Sequence, residues 1–338
     1  MGGNALSCAS VRLTKKNYDR MAEECVGKLR ALYPQGRVND IPSYRAKCDF
    51  GDLDLLVTDP NFDPEQAAAA LGAVEVVRNG PTTSLGLILR PEVLQREGNM
   101  FQVDLVRMAP DEYDYALAYF SFNDLGNLIG RTAHSAGLAH RHNGLYYYVR
   151  DGDYKFREIC LTADYDTALA FLGYEPVRFH RGFENLTEIF EYVTGSTFFN
   201  RDIFLLENRN YASRIRDRKR KTYTDFLKWC EERPDLPAYQ YPDDKTAWLP
   251  RIAEHFPHFQ GEYDKAQADL ENQRQVKERY NGETVARMTG LAAKELGMLM
   301  KHVKESFGSL EALHAFVLNS TEDELAARVN SVRQTLPL

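Results

Sequence analysis

The chain has 338 residues, 43% of them hydrophobic and 27% charged, with a net charge of −7. That length can bury a full core and carry two or three domains. The negative balance excludes a protein that coats nucleic acid uniformly, so any contact with a polyanion needs a local basic surface. No apolar run approaches membrane-spanning length, and the N-terminus lacks a signal-peptide core, so no membrane partner is expected. The five cysteines stand singly with no CxxC pair, the pattern of a reducing compartment, and a cytoplasmic location is expected.

Residues 1–13 are small and polar; the sequence leaves open whether they form a free arm or tuck against the rest. A helix is predicted after Thr14, with Tyr18, Met21, Ala22, Cys25, Leu29 and Leu32 at helical spacing and Pro34 and Gly36 beyond its end. The stretch from Pro42 to Val57 then reads PSYRAKCDFGDLDLLV. Alternation in a strand sends Asp52 and Asp54 to one face and Leu53 and Leu55 to the other. Two carboxylates on one face raise each other's proton affinity unless a cation sits between them. Asp63-Pro64-Glu65 supplies a cap and a first-turn proline for an alanine-rich helix closing at Gly72. Strands follow near 74–77, 84–89 and 101–106. The last places Asp104 on a face with Gln102 and Val106, opposite Phe101, Val103 and Leu105. A bare pair of strand aspartates is equally well explained as the wet face of an edge strand. Three of them are the donor set of a two-metal phosphoryl-transfer site, with two Mg²⁺ ions or Mn²⁺ in their place. Gly51 allows close approach of backbone to a phosphate. Ser43, Arg45 and Lys47 offer a hydroxyl, a fork and a point charge suited to a triphosphate.

Helices are predicted over 110–120 and 124–136, the second closing at Gly137. Asp124, Asn127 and Arg131 fall at i, i+3 and i+7 of the second and share a face. Strands at 145–149 and 155–160 form a hairpin around Arg150-Asp151-Gly152. His134, His140 and His142 lack the cysteine or carboxylate partners of a zinc site and are read as loop or packing residues. From Tyr165 onward the periodicity is helical, over 165–172, 184–193, 223–232, 247–255, 260–279, 282–288, 292–307, 310–318 and 321–335. Between these, 209–221 reads RNYASRIRDRKRK, with seven basic residues and one acid. A solvated charged helix is the ordinary explanation. In an acidic chain with a phosphoryl-transfer site, Arg214, Arg216, Arg218, Lys219, Arg220 and Lys221 read better as a track for a phosphate backbone.

The order of these motifs resembles the DNA polymerase β-type nucleotidyltransferase superfamily, and more narrowly its family X polymerases. Ser43-Tyr44-Arg45 leading into Gly51-Asp52-Leu53-Asp54 carries the resemblance. It continues through Thr58-Asp59-Pro60, Leu85-Gly86-Leu87, Val103-Asp104-Leu105, Tyr119-Phe120-Ser121, then Asp124, Asn127 and Arg131, and the stretch 133–137. It spans roughly residues 40–165. Four departures stand out: Pro42 where a glycine is usual, one residue fewer between Ser43 and Asp52, Gln102 for a basic residue, and Phe122 for the glycine of a Tyr-Phe-Thr-Gly turn. A second, shorter run, Tyr280-Asn281-Gly282-Glu283-Thr284-Val285, Met288-Thr289-Gly290-Leu291 and Lys294-Glu295-Leu296-Gly297, is similar to the helical body of CCA-adding enzymes, with Ala293 in place of a glycine.

The resemblance implies an α+β protein: a palm with a small mixed or antiparallel sheet and short fingers over 1–165, then an all-helical, nucleic-acid-binding domain over 166–338. It implies transfer of a nucleotidyl group from a nucleoside triphosphate to a nucleic-acid 3′-hydroxyl with release of pyrophosphate. Asp52, Asp54 and Asp104 would hold metal, and Ser43, Arg45 and Gly51 would bind phosphates. Tyr119, Phe120, Asp124 and Asn127 would contact the incoming nucleotide, with Arg131 nearer the template or primer. DNA and a tRNA-like 3′ end both remain open as acceptor. A toxin-type transferase acting on tRNA or protein is a further alternative, and the oligomeric state is not fixed by the sequence.

Overall fold

Leu13–Thr14 forms a two-residue strand, β1, and leads directly into helix α1 (Lys15–Leu32), which buries Tyr18, Ala22, Cys25, Val26 and Leu29. These positions recur at helical spacing, as the sequence predicts. The computed structural model describes residues 5–7, 10–89, 99–238 and 245–337. The Gly2-Gly3-Asn4 segment lies outside them.

Strands β2 (Arg37–Asp40), β3 (Asp49–Phe50) and β4 (Asp52–Thr58) follow, then helix α2 (Pro64–Leu71) and strands β5 (Ala73–Asn79), β6 (Thr82–Ile88) and β7 (Met100–Arg107). The Asp63 carboxylate accepts from the Glu65 amide at the start of α2, and Gly72 ends the helix with φ of 71°, the local chemistry expected of that sequence. The five-stranded sheet has the order β2-β4-β7-β6-β5. Only β4 and β7 run parallel; the other neighbours are antiparallel. Leu53, Leu55 and Val57 of β4 join Leu85, Val103 and Leu105 in a buried cluster with Leu29 of α1 and Ala67 of α2. The other face of β4 carries Asp52, Asp54 and Leu56. Leu56 packs against Tyr113 and Ala116 of helix α3 (Tyr113–Phe120), whose Tyr113 hydroxyl donates to the Leu56 carbonyl at 3.1 Å.

Helix α4 (Leu125–Ser135) leads to β8 (Leu138–Arg141), β9 (Gly144–Asp151) and β10 (Tyr154–Thr162), a three-stranded sheet in the order β10-β9-β8. Next come α5 (Tyr165–Phe171), α6 (Pro176–Arg181), α7 (Leu186–Thr194), α8 (Tyr211–Arg218), α9 (Lys221–Glu231) and α10 (Leu249–His255). Five more helices follow: α11 (Phe259–Arg279), α12 (Gly282–Thr289), α13 (Ala293–Ser306), α14 (Leu310–Asn319) and α15 (Glu322–Gln334). The short strands β1, β2, β3 and β8 and helix α6 have no periodic signal long enough to read from sequence.

By compactness the chain divides into Met1–Tyr148 with Cys160–Phe256, and Val149–Ile159 with Pro257–Leu338. The boundary expected at 165/166 marks the change from strands to helices, but α5–α10 fold with the sheet. The Tyr174 hydroxyl, for example, bonds Thr132 of α4 at 2.9 Å, and the Phe183 carbonyl accepts from the Arg45 amide at 3.0 Å. In the second unit, Val285, Leu299, Val303, Val317 and Val329 form the core. Arg157–Asp269 and Arg274–Asp151, each at 2.7 Å, hold its hairpin on α11. Among the described residues no helix is long and apolar enough to cross a membrane.

Candidate metal and phosphate cleft

The parallel pairing of β4 with β7 places Asp54 directly across from Asp104 and Asp52 across from Gln102. Each of Asp52, Asp54 and Asp104 offers an oxygen within 4.8 Å of the others, and all three are half-buried. Burial first, then the Asp52 and Asp104 charges, push Asp54 up from 3.8 to about 7. Burial also raises Asp104, opposed by hydrogen bonds from Ser84 and Gln102. Three converging carboxylates with only oxygen donors are the chemistry of a hard divalent cation, so the residues fit Mg²⁺.

Asp104 is held by a neighbour that the sequence marks only as a departure. The Gln102 amide donates to both Asp104 oxygens, at 3.0 and 2.9 Å, and its own oxygen accepts from the Ala5 amide at 2.9 Å. Ser10 Oγ accepts from the Gln102 amide N–H at 3.0 Å and donates to the Gly51 carbonyl at 2.8 Å. The described part of the N-terminal segment therefore tucks against the aspartates. Leu6 lies over Gly86, where an added Cβ would stand 3.3 Å from it and 2.7 Å from the Met100 sulfur.

Asp52 and Asp54 open onto a cleft of about 710 Å³, whose wall also carries Ser43, Lys47, Gly51, Phe120, Asp124, Arg220, Lys221, Thr222 and Asp225. Burial lowers Lys47, opposed by the charges of Asp52 and Asp54; its Nζ sits 4.6 Å over the Phe50 ring. Arg220 pairs with Asp124 at 2.5 Å and Lys221 with Asp225 at 2.7 Å. Helix α9 starts at this wall, and its cap residue Arg220 makes no side-chain capping bond. Its first amides add partial positive charge to that of the two side chains.

Other predicted residues are placed elsewhere. Arg45 donates to the Arg181 carbonyl and lies 3.8 Å from Glu184; it is not among the cleft residues. Tyr119 packs edge-on against Phe120 and tilted against His140. The predicted face of α4 splits. Asp124 stands at the helix start on the cleft, Asn127 buries its Nδ2 without a partner, and Arg131 donates to the Ile203 carbonyl at 2.6 Å. His140 is buried among Tyr115, Tyr119 and Tyr165. Among the described residues the three aspartates are the one cluster able to hold a metal. Sequence reasoning missed Tyr18, Arg12, Thr222 and Asp225 on the cleft wall. Tyr18 carried only an apolar-face signal, and the others carried none.

Two of the three departures from glycine, Phe122 and Ala293, fall on left-handed backbone. Phe122 has φ of 60° and Ala293 φ of 46°, where a side chain is strained. The Phe122 ring offsets its strain by packing edge-on against Phe179 and Phe183, at 5.3 and 5.0 Å. No protein-family model and no curated protein sequence matches the chain.

Proposed function

We propose that the protein is a nucleotidyltransferase with a polymerase β-type palm, joining the nucleotidyl group of a nucleoside triphosphate to a nucleic-acid hydroxyl and releasing pyrophosphate. The observation that carries this reading is the register of β4 on β7, which sets Asp54 against Asp104 beside Asp52 at the edge of the cleft. Asp52, Asp54 and Asp104 would hold two Mg²⁺ ions, which when bound supply activation of the attacking hydroxyl and neutralisation of the phosphates. The chain's own residues bind and orient. Lys47, Arg220, Lys221 and the start of α9 line the same cleft as Asp52 and Asp54 and offer the positive charge that a triphosphate requires. The Ser43 hydroxyl and Gly51 line the cleft too, and Phe120 gives it an apolar surface for a sugar or base.

The test supplies labelled NTPs and dNTPs singly with gapped DNA, single-stranded DNA and tRNA with intact or trimmed 3′ ends. Mg²⁺-dependent incorporation into one of these is expected, and Asp104→Asn should abolish it while circular dichroism and melting stay near wild type. Full activity in Asp104→Asn, or label appearing on protein instead of nucleic acid, overturns the reading.

A further inference from the structure

Helix α8 is packed the reverse of an ordinary surface helix. Tyr211, Arg214, Ile215 and Arg218 lie at i, i+3, i+4 and i+7 and share one face. A tyrosine and an isoleucine at that spacing normally turn inward. Here Tyr211 is 73% exposed and Ile215 39%, Arg218 is exposed and Arg214 half-buried. The residue that is wholly buried is the acid, Asp217, whose Oδ2 lies 2.8 Å from the equally buried Arg209 and whose Oδ1 lies 3.3 Å from Arg216. Desolvating a carboxylate and a guanidinium is costly even when they pair. The result is a helix that hides its one negative charge and presents a ring, an aliphatic side chain and cations together.

We infer that this face of α8 binds a single-stranded polynucleotide, one base stacking on Tyr211 and backbone phosphates resting on Arg214, Arg218 and Lys219. Among the described residues these three cations make no ion pair, so their charge is available to a partner. An anionic partner explains the outward cations, and flat apolar groups on that partner explain the outward ring; a polynucleotide carries both. A duplex keeps its bases stacked within itself, whereas a single strand offers free base faces to an aromatic ring. The basic run continues from Lys219 into Arg220 and Lys221 on the cleft wall, which joins the track to the aspartates. The inference rests on the proposed transferase reading for what the strand is doing there, but its test does not need catalysis.

The full-length protein, without nucleotide or metal, is titrated against labelled RNA and DNA oligonucleotides of about twelve nucleotides, the matching duplex, heparin and polyglutamate. Tyr211→Ala should weaken oligonucleotide binding roughly tenfold, Tyr211→Phe should restore it, and heparin affinity should not move. Arg214→Gln with Arg218→Gln should weaken both oligonucleotide and heparin, and lower the salt slope by about one to two. Asp104→Asn should bind like wild type, so an inactive site and an absent track give different results. Unchanged oligonucleotide affinity in Tyr211→Ala, equal losses of heparin and oligonucleotide affinity in Tyr211→Ala, or tighter binding of duplex or polyglutamate than of single strands by the wild-type protein would each overturn it.

Discussion

Gln102 decides what Asp104 can do. Its amide occupies both carboxylate oxygens while a backbone amide from the N-terminal segment fixes its own orientation, so the chain itself holds Asp104 in one orientation. Partners of metal ligands typically tune affinity 10–100-fold. Gln102→Leu, which removes the donor and keeps much of the volume, should weaken Mn²⁺ or Mg²⁺ binding by roughly that factor. Circular dichroism should be unaltered, because the backbone pairing of β7 with β4 and β6 does not involve that side chain. Calorimetry or Mn²⁺ resonance measures this directly, and equal affinity in wild type and variant would remove Gln102 from the site. Arg45 makes the opposite point. A guanidinium expected on a triphosphate is spent on the Arg181 carbonyl, a contact 136 residues away in sequence.

Elements carry the strain that single residues reveal. Helix α13 begins at Ala293 with a left-handed backbone, and the side chain is exposed, so nothing offsets the steric penalty. Ala293→Gly should raise stability by about 0.5–1 kcal/mol, the relief of the left-handed penalty less the entropy that glycine adds to the unfolded chain. Phe122→Gly at the end of α3 should behave oppositely, losing about 3 kcal/mol because buried ring packing outweighs the relief. Urea unfolding compares the two, and stabilisation by both or by neither would show that backbone strain is not what separates them. Helix α8 is the other element whose burial pattern runs against its composition: its acid is inside, and an outward basic and aromatic face remains.

For the molecule as a whole, the aspartates tie stability to pH, and the proposed metal site would tie it to divalent cation as well. The folded state raises Asp54 above its unfolded value of 3.8 to about 7. Between those values the native protein keeps a proton that the unfolded chain has released. Stability therefore falls as pH rises through that window, and the loss persists above it. The melting temperature without metal should drop by roughly 2–4 °C from about pH 5 to pH 8 through this group. Asp54→Asn should flatten that part of the curve. Mg²⁺ at a hundred times its Kd adds about 2.7 kcal/mol, and its effect should be greater at pH 8 than at pH 5, where protons compete for the same oxygens. Scanning calorimetry with and without Mg²⁺ checks both; a Mg²⁺ effect that grows as pH falls would remove the aspartates as its cause.

The sequence by itself determined the local elements and the faces they present. Leu53 and Leu55 must be buried, so Asp52 and Asp54 must point the other way, and Asp63-Pro64 with Gly72 bounds α2 through chemistry contained within four residues. These features depend on spacing along the chain, which is all that periodicity reports. Only the tertiary structure decided which residues meet. The register that sets Asp54 against Asp104 joins strands fifty residues apart, and nothing local distinguishes it from a slip of two. Long cationic side chains were the least legible, because a guanidinium reaches solvent, a carbonyl or a carboxylate equally well until its neighbours are known. Thus Arg131 went to Ile203, Arg209 went inward to Asp217, and Arg220 and Lys221 came to the cleft.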